Sequence, residues 1–314
     1  MSDAAVISVA GLAKRYGEIE AVRGVDFKVA AGEVFGFLGP NGAGKSTTIK
    51  MLCTLVEPAA GTALVAGHDV IRARDDVRRN IGLVFQDPTL DEYLSAEQNL
   101  RFHAELYGMP KALLPARSRE VLEMVGLWER RAGLVSTYSG GMKRRLEIAR
   151  GLLHSPRVLF LDEPTVGLDP QTRTTIWSYI EELRRREDIT IFLTTHYMDE
   201  AEHCNRIGLM HGGKLVALDT PAALKHGTIA GDVLEVEGMP QDQTRDLVAG
   251  LPGVREVAPY GARLHAIVDD AALREPLIVS ALQSAGIADA RVERIEPSLE
   301  DVFVALVGEQ TASA

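Results

Sequence analysis

Short apolar runs of strand length recur along the chain, and helix-like patterns separate them. Residues 33–38 (EVFGFL), 81–85 (IGLVF) and 158–161 (VLFL) each have the length and composition of a buried strand. After the first run, apolar residues return at helical spacing over residues 46–55, which predicts a helix. This alternation of buried strands and helices predicts an α/β fold with a sheet at its core.

The flanking segments add two further patterns to this core. Residues 5–31 form short alternating pieces that predict antiparallel strands, and residues 88–155 turn helical, which predicts an inserted helical subdomain. Strand–helix alternation returns over residues 158–219 and ends in a hairpin that turns at Gly212-Gly213. We place the first domain at residues 1–225.

Residues 226–308 predict a different unit. Their pattern reads β-α-β-β-α-β with one closing helix, which is typical of a small α+β, ferredoxin-like domain. Its second helix contains Pro276, a position at which that helix could bend or end. His265 alternates with apolar residues along a strand, which favours a structural role over a ligand role. Residues 309–314 are predicted to be a frayed tail.

A glycine-rich loop follows the first buried strand and precedes the helix over 46–55. It fits the pattern G-x-x-x-x-G-K-[ST], in which backbone N–H groups and a helix N-terminus converge on phosphates. Lys45 is predicted to reach the β- and γ-phosphates of ATP, and the Ser46 hydroxyl to ligate Mg²⁺. A ligand-free glycine turn is disfavoured because both flanks fit. The predicted contacts are Gly39, Pro40, Asn41, Gly42, Ala43, Gly44, Lys45, Ser46 and Thr47.

A pair of acids ends the apolar run at residues 158–161. Asp162 and Glu163 would be unfavourable at the end of a buried strand without partners, and a metal ion and a water molecule supply them. Asp162 is predicted to hold Mg²⁺, and Glu163 to act as the general base for the hydrolytic water. The alternative, an acid pair facing solvent, is weakened by Pro164 and by the GLDP motif that follows.

A second glycine-rich segment, YSGGM, precedes another predicted helix. We call Ser139-Gly140-Gly141 the signature loop; it offers a hydroxyl and unobstructed N–H groups at a helix N-terminus, where an anion is favoured. Lys143, Arg144 and Arg145 follow at once. They either add positive charge near that anion or form a solvated helix face.

In this order, the motifs over residues 5–225 resemble the ATP-binding subunits of ABC transporters. The closing SLEDVFVALVG segment resembles the daunorubicin-resistance-type ATPases of that family. The resemblance implies that Tyr16 stacks on adenine, that Gln86 senses Mg²⁺ and the attacking water, and that His196 contacts the γ-phosphate. It also implies that Asp169 belongs to a loop that crosses a dimer.

The resemblance also implies partners. The signature loop of one protomer would cover the ATP held by the other, so that a homodimer with two-fold symmetry closes on two nucleotides. An ABC-2-type membrane permease on a separate chain would dock on the helical subdomain. Leu90, Tyr93 and Leu94 are candidates for that contact or, alternatively, for packing within the subdomain. Tyr138 and Met142 stand where Leu and Gln are usual in the signature segment.

Composition narrows the location and the partners. No apolar run in the 314 residues approaches the roughly 18 that a membrane span needs, and no signal peptide is recognisable. We therefore expect a cytosolic subunit at the cytoplasmic face of the cell membrane. Cys53 is assigned to the core, and two unclustered cysteines suit a reducing compartment. Residues 226–314 hold 6 Lys and Arg against 15 Asp and Glu, which argues against nucleic acid as a partner.

The leading functional hypothesis is an ATPase subunit that powers efflux of hydrophobic compounds such as antibiotics through a separate permease. One alternative changes the cargo to a lipid, a polysaccharide or an ion, because nothing in these residues reads cargo. Another is a soluble, non-transport ABC ATPase, which one phosphate loop, one signature loop and the lack of long heptad runs disfavour. Fold analogy suggests a regulatory or dimer-bracing role for the C-terminal domain.

Overall fold

The computed structural model describes residues 5–186, 189–287 and 289–312, which divide into two compact units at Leu218/Asp219. The strands of the first unit are β1 (Ala5–Tyr16), β2 (Ile19–Ala30), β3 (Val34–Leu38), β4 (Ala60–Val65), β5 (His68–Asp69), β6 (Ile81–Val84), β7 (Val158–Asp162), β8 (Thr190–Thr195), β9 (Arg206–His211) and β10 (Lys214–Asp219). Its helices are α1 (Lys45–Leu52), α2 (Arg74–Asn80), α3 (Ala96–Leu106), α4 (Leu114–Met124), α5 (Gly140–Leu152), α6 (Pro170–Arg186) and α7 (Met198–Ala201).

Two sheets make up the strand framework of the first unit. The larger has the order β10-β9-β3-β8-β7-β6, and the pairs from β9 to β6 are parallel. Parallel pairing brings the carboxyl ends of β3, β6 and β7 to one edge of the sheet. The smaller sheet, β2-β1-β4-β5, is antiparallel, which confirms the prediction for residues 5–31. It also contains β4 and β5, which the sequence patterns do not predict as strands.

A cluster of phenylalanines joins these two sheets. Phe35, Phe192 and Phe160 lie level with one another on β3, β8 and β7, with ring centroids 5.3 and 5.4 Å apart. Phe27 of the antiparallel sheet stacks on Phe35 at 5.7 Å. Buried aromatic pairs at these separations contribute beyond the area they bury. The cluster therefore fixes the two strands whose ends carry the phosphate loop and the acid pair.

The predicted helical insertion corresponds to α3, α4 and α5, which lie between β6 and β7. Ser95 begins α3 with a capping box, because its hydroxyl accepts from Gln98 N and the Gln98 side chain accepts from Ser95 N. Fully buried leucines supply the subdomain's interior, among them Leu100, Leu122 and Leu146.

The second unit contains α8 (Pro221–Thr228), β11 (Asp232–Glu237), α9 (Gln241–Ala249), β12 (Val254–Tyr260), β13 (Arg263–Val268), α10 (Ala271–Ser284), β14 (Arg291–Ile295) and α11 (Leu299–Ala312). Its strand order, β12-β13-β11-β14, and its antiparallel pairs are those of a ferredoxin-like sheet, as the element order predicts. Helices α9 and α10 bury their apolar residues against one face, and α10 continues through Pro276.

Two limits of this unit differ from the sequence analysis. The boundary placed after residue 225 would divide α8, whereas the whole helix belongs to the second unit because it packs against α11. Helix α11 continues to Ala312, so residues 309–312 are helical instead of the frayed end predicted for them. Residues 313–314 of the predicted tail lie outside the described residues.

His265 has a buried carboxylate partner in this unit. Its Nδ1 lies 2.8 Å from Asp301 Oδ1, and Oδ2 of Asp301 accepts from N and Oγ of Ser298 at the start of α11. Burial opposes protonation of His265, but Asp301 and Glu235 outweigh burial and raise its pKa. Burial likewise opposes ionisation of Asp301, but the bonds from His265 and Ser298 lower its pKa. The pair ties α11 to β13.

We expect the His265→Gln variant to lose stability in a pH-dependent way. Removing one partner of a buried ion pair typically costs about 3–5 kcal/mol. The raised pKa of His265 stabilises the fold below its ordinary value of 6.5, and the lowered pKa of Asp301 does so above its ordinary value of 3.8. The loss should therefore be largest between these values and shrink as the pH rises. Hydrogen exchange of β13 amides, compared between parent and variant across pH, measures it; a loss that grows above pH 6.5 would contradict the assignment.

Candidate site of nucleotide binding and hydrolysis

The phosphate loop connects β3 to α1, and neighbouring backbone fixes its course. Gly39 has φ +150° and Gly44 has φ +102°. A Cβ atom would lie 2.2 Å from Met210 O at Gly39 and 2.4 Å from Ala21 O at Gly44, so only glycine fits at either position. The loop is thus a close-fitting cradle that ends at the N-terminus of α1, the setting that favours phosphate.

Lys45, the first residue of α1, links this loop to the acid pair. Its Nζ donates to Gly39 O at 2.6 Å and to Pro40 O at 3.2 Å, and lies 3.5 Å from Glu163 Oε1. Burial lowers the pKa of Lys45, while the charges of Glu163 and Asp162 act in the opposite direction.

The acid pair lies at the carboxyl end of β7, with both side chains buried. Asp162 Oδ1 accepts from Ser46 Oγ at 3.0 Å and from Thr194 Oγ1 at 2.6 Å. Glu163 has φ +48°, a left-handed conformation that is uncommon for glutamate, and its N–H donates to Thr194. The Ser46 hydroxyl and the Asp162 carboxylate therefore present adjacent oxygen donors, the kind that Mg²⁺ prefers.

The Glu163 carboxylate lies between two basic side chains. Its Oε2 is 3.1 Å from His196 Nδ1, and its Oε1 faces Lys45. His196 follows β8, the strand between β3 and β7. The parallel sheet therefore brings Lys45, Glu163 and His196 to one edge. His196 was expected to contact the γ-phosphate; its ring nitrogen also holds the carboxylate of the candidate base.

The other predicted residues occupy separate positions. Gln86 follows β6, and the register of Val84 with Leu161 places it at the same edge as the acid pair, with its side chain exposed. Tyr16 ends β1 and is half-exposed. Asp169 precedes α6, and bonds from Thr172 Oγ1 and N lower its pKa. Within the described part of the chain, no hydrogen bond joins Tyr16, Gln86, Asp169 or the signature loop to the residues at the acid pair. Those residues are Lys45, Ser46, Asp162, Glu163 and His196.

The signature loop is exposed at the start of α5. Ser139 is the N-cap, and its Oγ accepts from Met142 N at 3.3 Å. A Cβ at Gly141 would lie 2.5 Å from Thr172 Cγ2, so a larger residue there would displace Thr172, while a Cβ at Gly140 would make ordinary contact with Leu168 at 3.8 Å. The loop therefore presents an exposed hydroxyl and a helix N-terminus to solvent.

Tyr138 and Arg144 show functions that the sequence analysis missed. Tyr138 is buried and donates to Arg130 O at 2.6 Å, so the departure from Leu anchors the segment before the signature loop. Arg144 is also buried and donates to main-chain carbonyls at the acid pair, so it is not part of a solvated helix face. A sequence signal existed, because Arg144 precedes the apolar Ile148 by one helical turn.

Comparison with known proteins decides the family. The family profile described as ABC transporter matches residues 22–166. The daunorubicin resistance ATP-binding protein DrrA3 of Streptomyces coeruleorubidus is 41% identical over 311 residues, which cover 98% of each chain. This chain belongs to the ABC transporter ATP-binding family. This ABC ATPase therefore binds and hydrolyses ATP, and ABC ATPase domains generally form dimers and pair with membrane permeases.

Two further relatives of this ABC ATPase extend the comparison. The Nod factor export ATP-binding protein I of Paraburkholderia xenovorans is 40% identical over 95% of each chain. An ATP-binding cassette solved as a dimer in a post-hydrolysis state with ADP and phosphate has a TM-score of 0.61 and 28% identity; it covers 68% of this chain and 98% of that one. In the described ranges, no helix combines the length and apolar character that crossing a membrane requires.

Proposed function

We propose that this ABC ATPase powers export of hydrophobic compounds such as antibiotics through an ABC-2-type permease at the cytoplasmic face of the membrane. The observation that carries the catalytic part is the Glu163 carboxylate, held between Lys45 and His196 beside the phosphate loop. The name of the daunorubicin-resistance relative supports the cargo class.

The site geometry supports general-base hydrolysis. Backbone N–H groups of the phosphate loop and Lys45 bind the phosphates, and Glu163 Oε1 or Oε2 takes a proton from the attacking water. His196 Nδ1 orients the carboxylate at 3.1 Å. Ser46, Asp162 and Gln86 would hold Mg²⁺, which supplies positive charge to the phosphate oxygens. A small number of protein ligands is sufficient for this ion, since Mg²⁺ is usually held by one or two carboxylates together with substrate phosphates.

A homodimer that closes on two ATP molecules accounts for the exposed signature loop. Ser139 and Gly140 lie at the surface of the chain. They offer a hydroxyl and N–H groups at a helix N-terminus, an arrangement that favours binding of an anion. The phosphate loop of a second copy would bring that anion, and Asp169 would lie in the loop that crosses between the copies. Tyr16 would stack on adenine. The dimeric relative with ADP and phosphate supports this arrangement.

The surface proposed for the permease is a groove between the sheet core and the helical subdomain. It encloses about 660 Å³, and we call it the α3 groove. Burial lowers the pKa of His103 to about 3, so the wall formed by α3 is neutral there. Apolar side chains mixed with arginines fit an amphipathic cytoplasmic helix. Residues that line the α3 groove include Leu55, Arg78, Thr89, Phe102, His103, Leu106, Tyr107 and Arg150.

The three contact candidates from the sequence lie outside the lining of the α3 groove. Leu90 and Leu94 are partly buried, and Leu94 O accepts from Val135 N, which supports packing within the subdomain. Tyr93 is 90% exposed and lies in the turn before α3. The groove, with Leu106 68% exposed on α3, is the better candidate surface.

A second cargo class has a specific observation in its favour. The relative named for Nod factor export matches this chain about as well as the drug-resistance relatives do. A lipid or polysaccharide cargo therefore stays the alternative, and the ATPase site would be the same for both.

We expect Leu106→Glu to lower co-purification of the permease at least about tenfold, because a charge would be buried in the α3 groove. Tyr93→Glu, an equal change outside the groove, is the control and should bind normally; thermal unfolding checks both folds. Permease recovered with the parent is then placed in lipid vesicles to measure ATP turnover with hydrophobic drugs and with lipid-linked saccharides. Loss of binding in Tyr93→Glu alone would reject the groove, and stimulation by saccharides alone would favour the second cargo.

A further inference from the structure

One face of α5 carries three charged residues at successive turns: Arg144, Glu147 and Arg150. They begin five residues after Ser139, on the helix that the signature loop caps. Arg144 and Glu147 are buried, and the pair is bonded at 3.1 Å. Buried charges on a helix are unfavourable unless their partners are well placed, so their partners show what the helix is built to hold.

The Arg144 guanidinium binds the main chain on both sides of the candidate base. Nη2 donates to Asp162 O and to Glu163 O at 3.1 Å each, and Nε donates to Pro164 O at 2.7 Å. Nη1 donates to Phe85 O and to Glu147. All five N–H donors are used, an arrangement that the single ammonium of lysine could not reproduce.

The rest of the row holds the segment that carries Gln86. Glu147 Oε1 accepts from Thr89 N at 2.8 Å, and Arg150 donates to Thr89 O at 2.8 Å. Arg144 also donates to Phe85 O, so α5 contacts this segment both before Gln86, at Phe85, and after it, at Thr89. Thr89 and Arg150 also line the α3 groove.

We propose that Arg144 is a positioning residue that links the signature loop to the general base of the same chain. The proposal rests on the proposed function, in which that loop covers the nucleotide of the partner. Closure of Ser139 on the partner's nucleotide would move α5, and Arg144 would carry that movement to the backbone of Glu163. Each chain thereby joins the two composite sites of the dimer.

Burial and strain explain why such a link would transmit small displacements. Glu163 adopts φ +48°, a conformation that persists only where its surroundings hold it. Its N–H is fixed by Thr194 and its carbonyl by Arg144. Moving α5 would either carry this backbone along or leave buried carbonyls unbonded, and the second outcome is unfavourable.

The test is Arg144→Lys in the full chain. We expect kcat to fall at least about tenfold because lysine loses the bonds to the base's backbone. ATP affinity should change by less than about twofold because the phosphate loop is intact, and the Hill coefficient for ATP should fall from about two toward one as the sites lose their link. A purely structural role would lower the unfolding temperature without changing this cooperativity.

Arg119→Lys is the matched control, since Arg119 is an exposed arginine of α4 whose guanidinium bonds to Glu123 on the same helix. It should keep kcat and the Hill coefficient of the parent. If Arg144→Lys does not fold, Glu147→Gln decides, because it retains an acceptor for Thr89 while removing the charge that balances Arg144; a folded Glu147→Gln chain with parental kcat and cooperativity would overturn the link.

Glu163→Gln, measured in parallel, separates this proposal from the proposed function. If Glu163→Gln is inactive while Arg144→Lys matches the parent in rate and cooperativity, the link is wrong and the base assignment stands. If Glu163→Gln turns over normally, the base assignment itself is wrong and the link falls with it.

Discussion

Replacing Glu163 with glutamine is expected to lower ATP turnover about 10²–10⁴-fold, the contribution typical of a general base. Glutamine keeps the shape, and its one carbonyl oxygen can still accept from Lys45 while its amide NH₂ faces His196, but it takes no proton from water. The phosphate loop is unchanged, so ATP should still bind, and the chain should accumulate as a closed, ATP-bound dimer. Single-turnover hydrolysis and size-exclusion chromatography with ATP measure the two effects.

Glu129→Gln is the matched control for this experiment. Glu129 lies on an exposed turn of the helical subdomain, so the same chemical change there should leave turnover at the parental rate. A Glu163→Gln chain that hydrolyses ATP like the parent would show that another group activates the water. In that case the contacts of Glu163 with Lys45 and His196 would have a structural role only.

Local patterns were enough to predict the parts of the site that lie at strand ends. The phosphate loop is recognisable in the sequence by the spacing of its glycines. The structure explains two of them, because the backbone comes too close at Gly39 and Gly44 for any side chain. Asp162 and Glu163 follow a strand that is apolar throughout, and an apolar run ending in acids is readable without a structure. Both signals are confined to a few consecutive residues.

The link through Arg144 was not readable in the same way. Apart from Glu147, its acceptors are carbonyl oxygens of Phe85, Asp162, Glu163 and Pro164, and main-chain acceptors leave no trace in side-chain identity. Three consecutive cations also hide which one faces inward. Only the spacing of Arg144 to Ile148 indicates which of the three faces inward. The sequence interpretation treated all three alike because each carries a positive charge.

Fold prediction shows the same division. The β-α-β-β-α-β order predicted the ferredoxin-like sheet, because each element has its own local period. The limits of that unit depended on packing between α8 and α11, which are far apart in sequence. Residues 60–65 belong to the antiparallel sheet because they pair with β1, and residues 68–69 because they pair with β4; no local pattern predicts either contact.

Mixing two inactive chains should restore hydrolysis if each nucleotide is shared between copies. Lys45→Ala removes the amine that binds phosphate, and Ser139→Ala removes the signature hydroxyl; loss of one such donor typically costs about 10²–10³-fold. A heterodimer of the two variants keeps one intact composite site, formed by the phosphate loop of one chain and the signature loop of the other. Heterodimers purified through two different tags should therefore hydrolyse ATP well above the rate of either variant alone and at no more than about half the parental rate, one site of two.

The heterodimer of parent and Lys45→Ala is the matched control, because it also contains one intact and one damaged site. Equal rates for the two heterodimers establish sharing between chains. If the control is active and the Ser139→Ala/Lys45→Ala heterodimer is not, each site is completed within one chain, and the exposed signature loop must serve another purpose. If both are inactive while the parent turns over, the two sites hydrolyse only together, which is the behaviour that a link through Arg144 between the sites would produce.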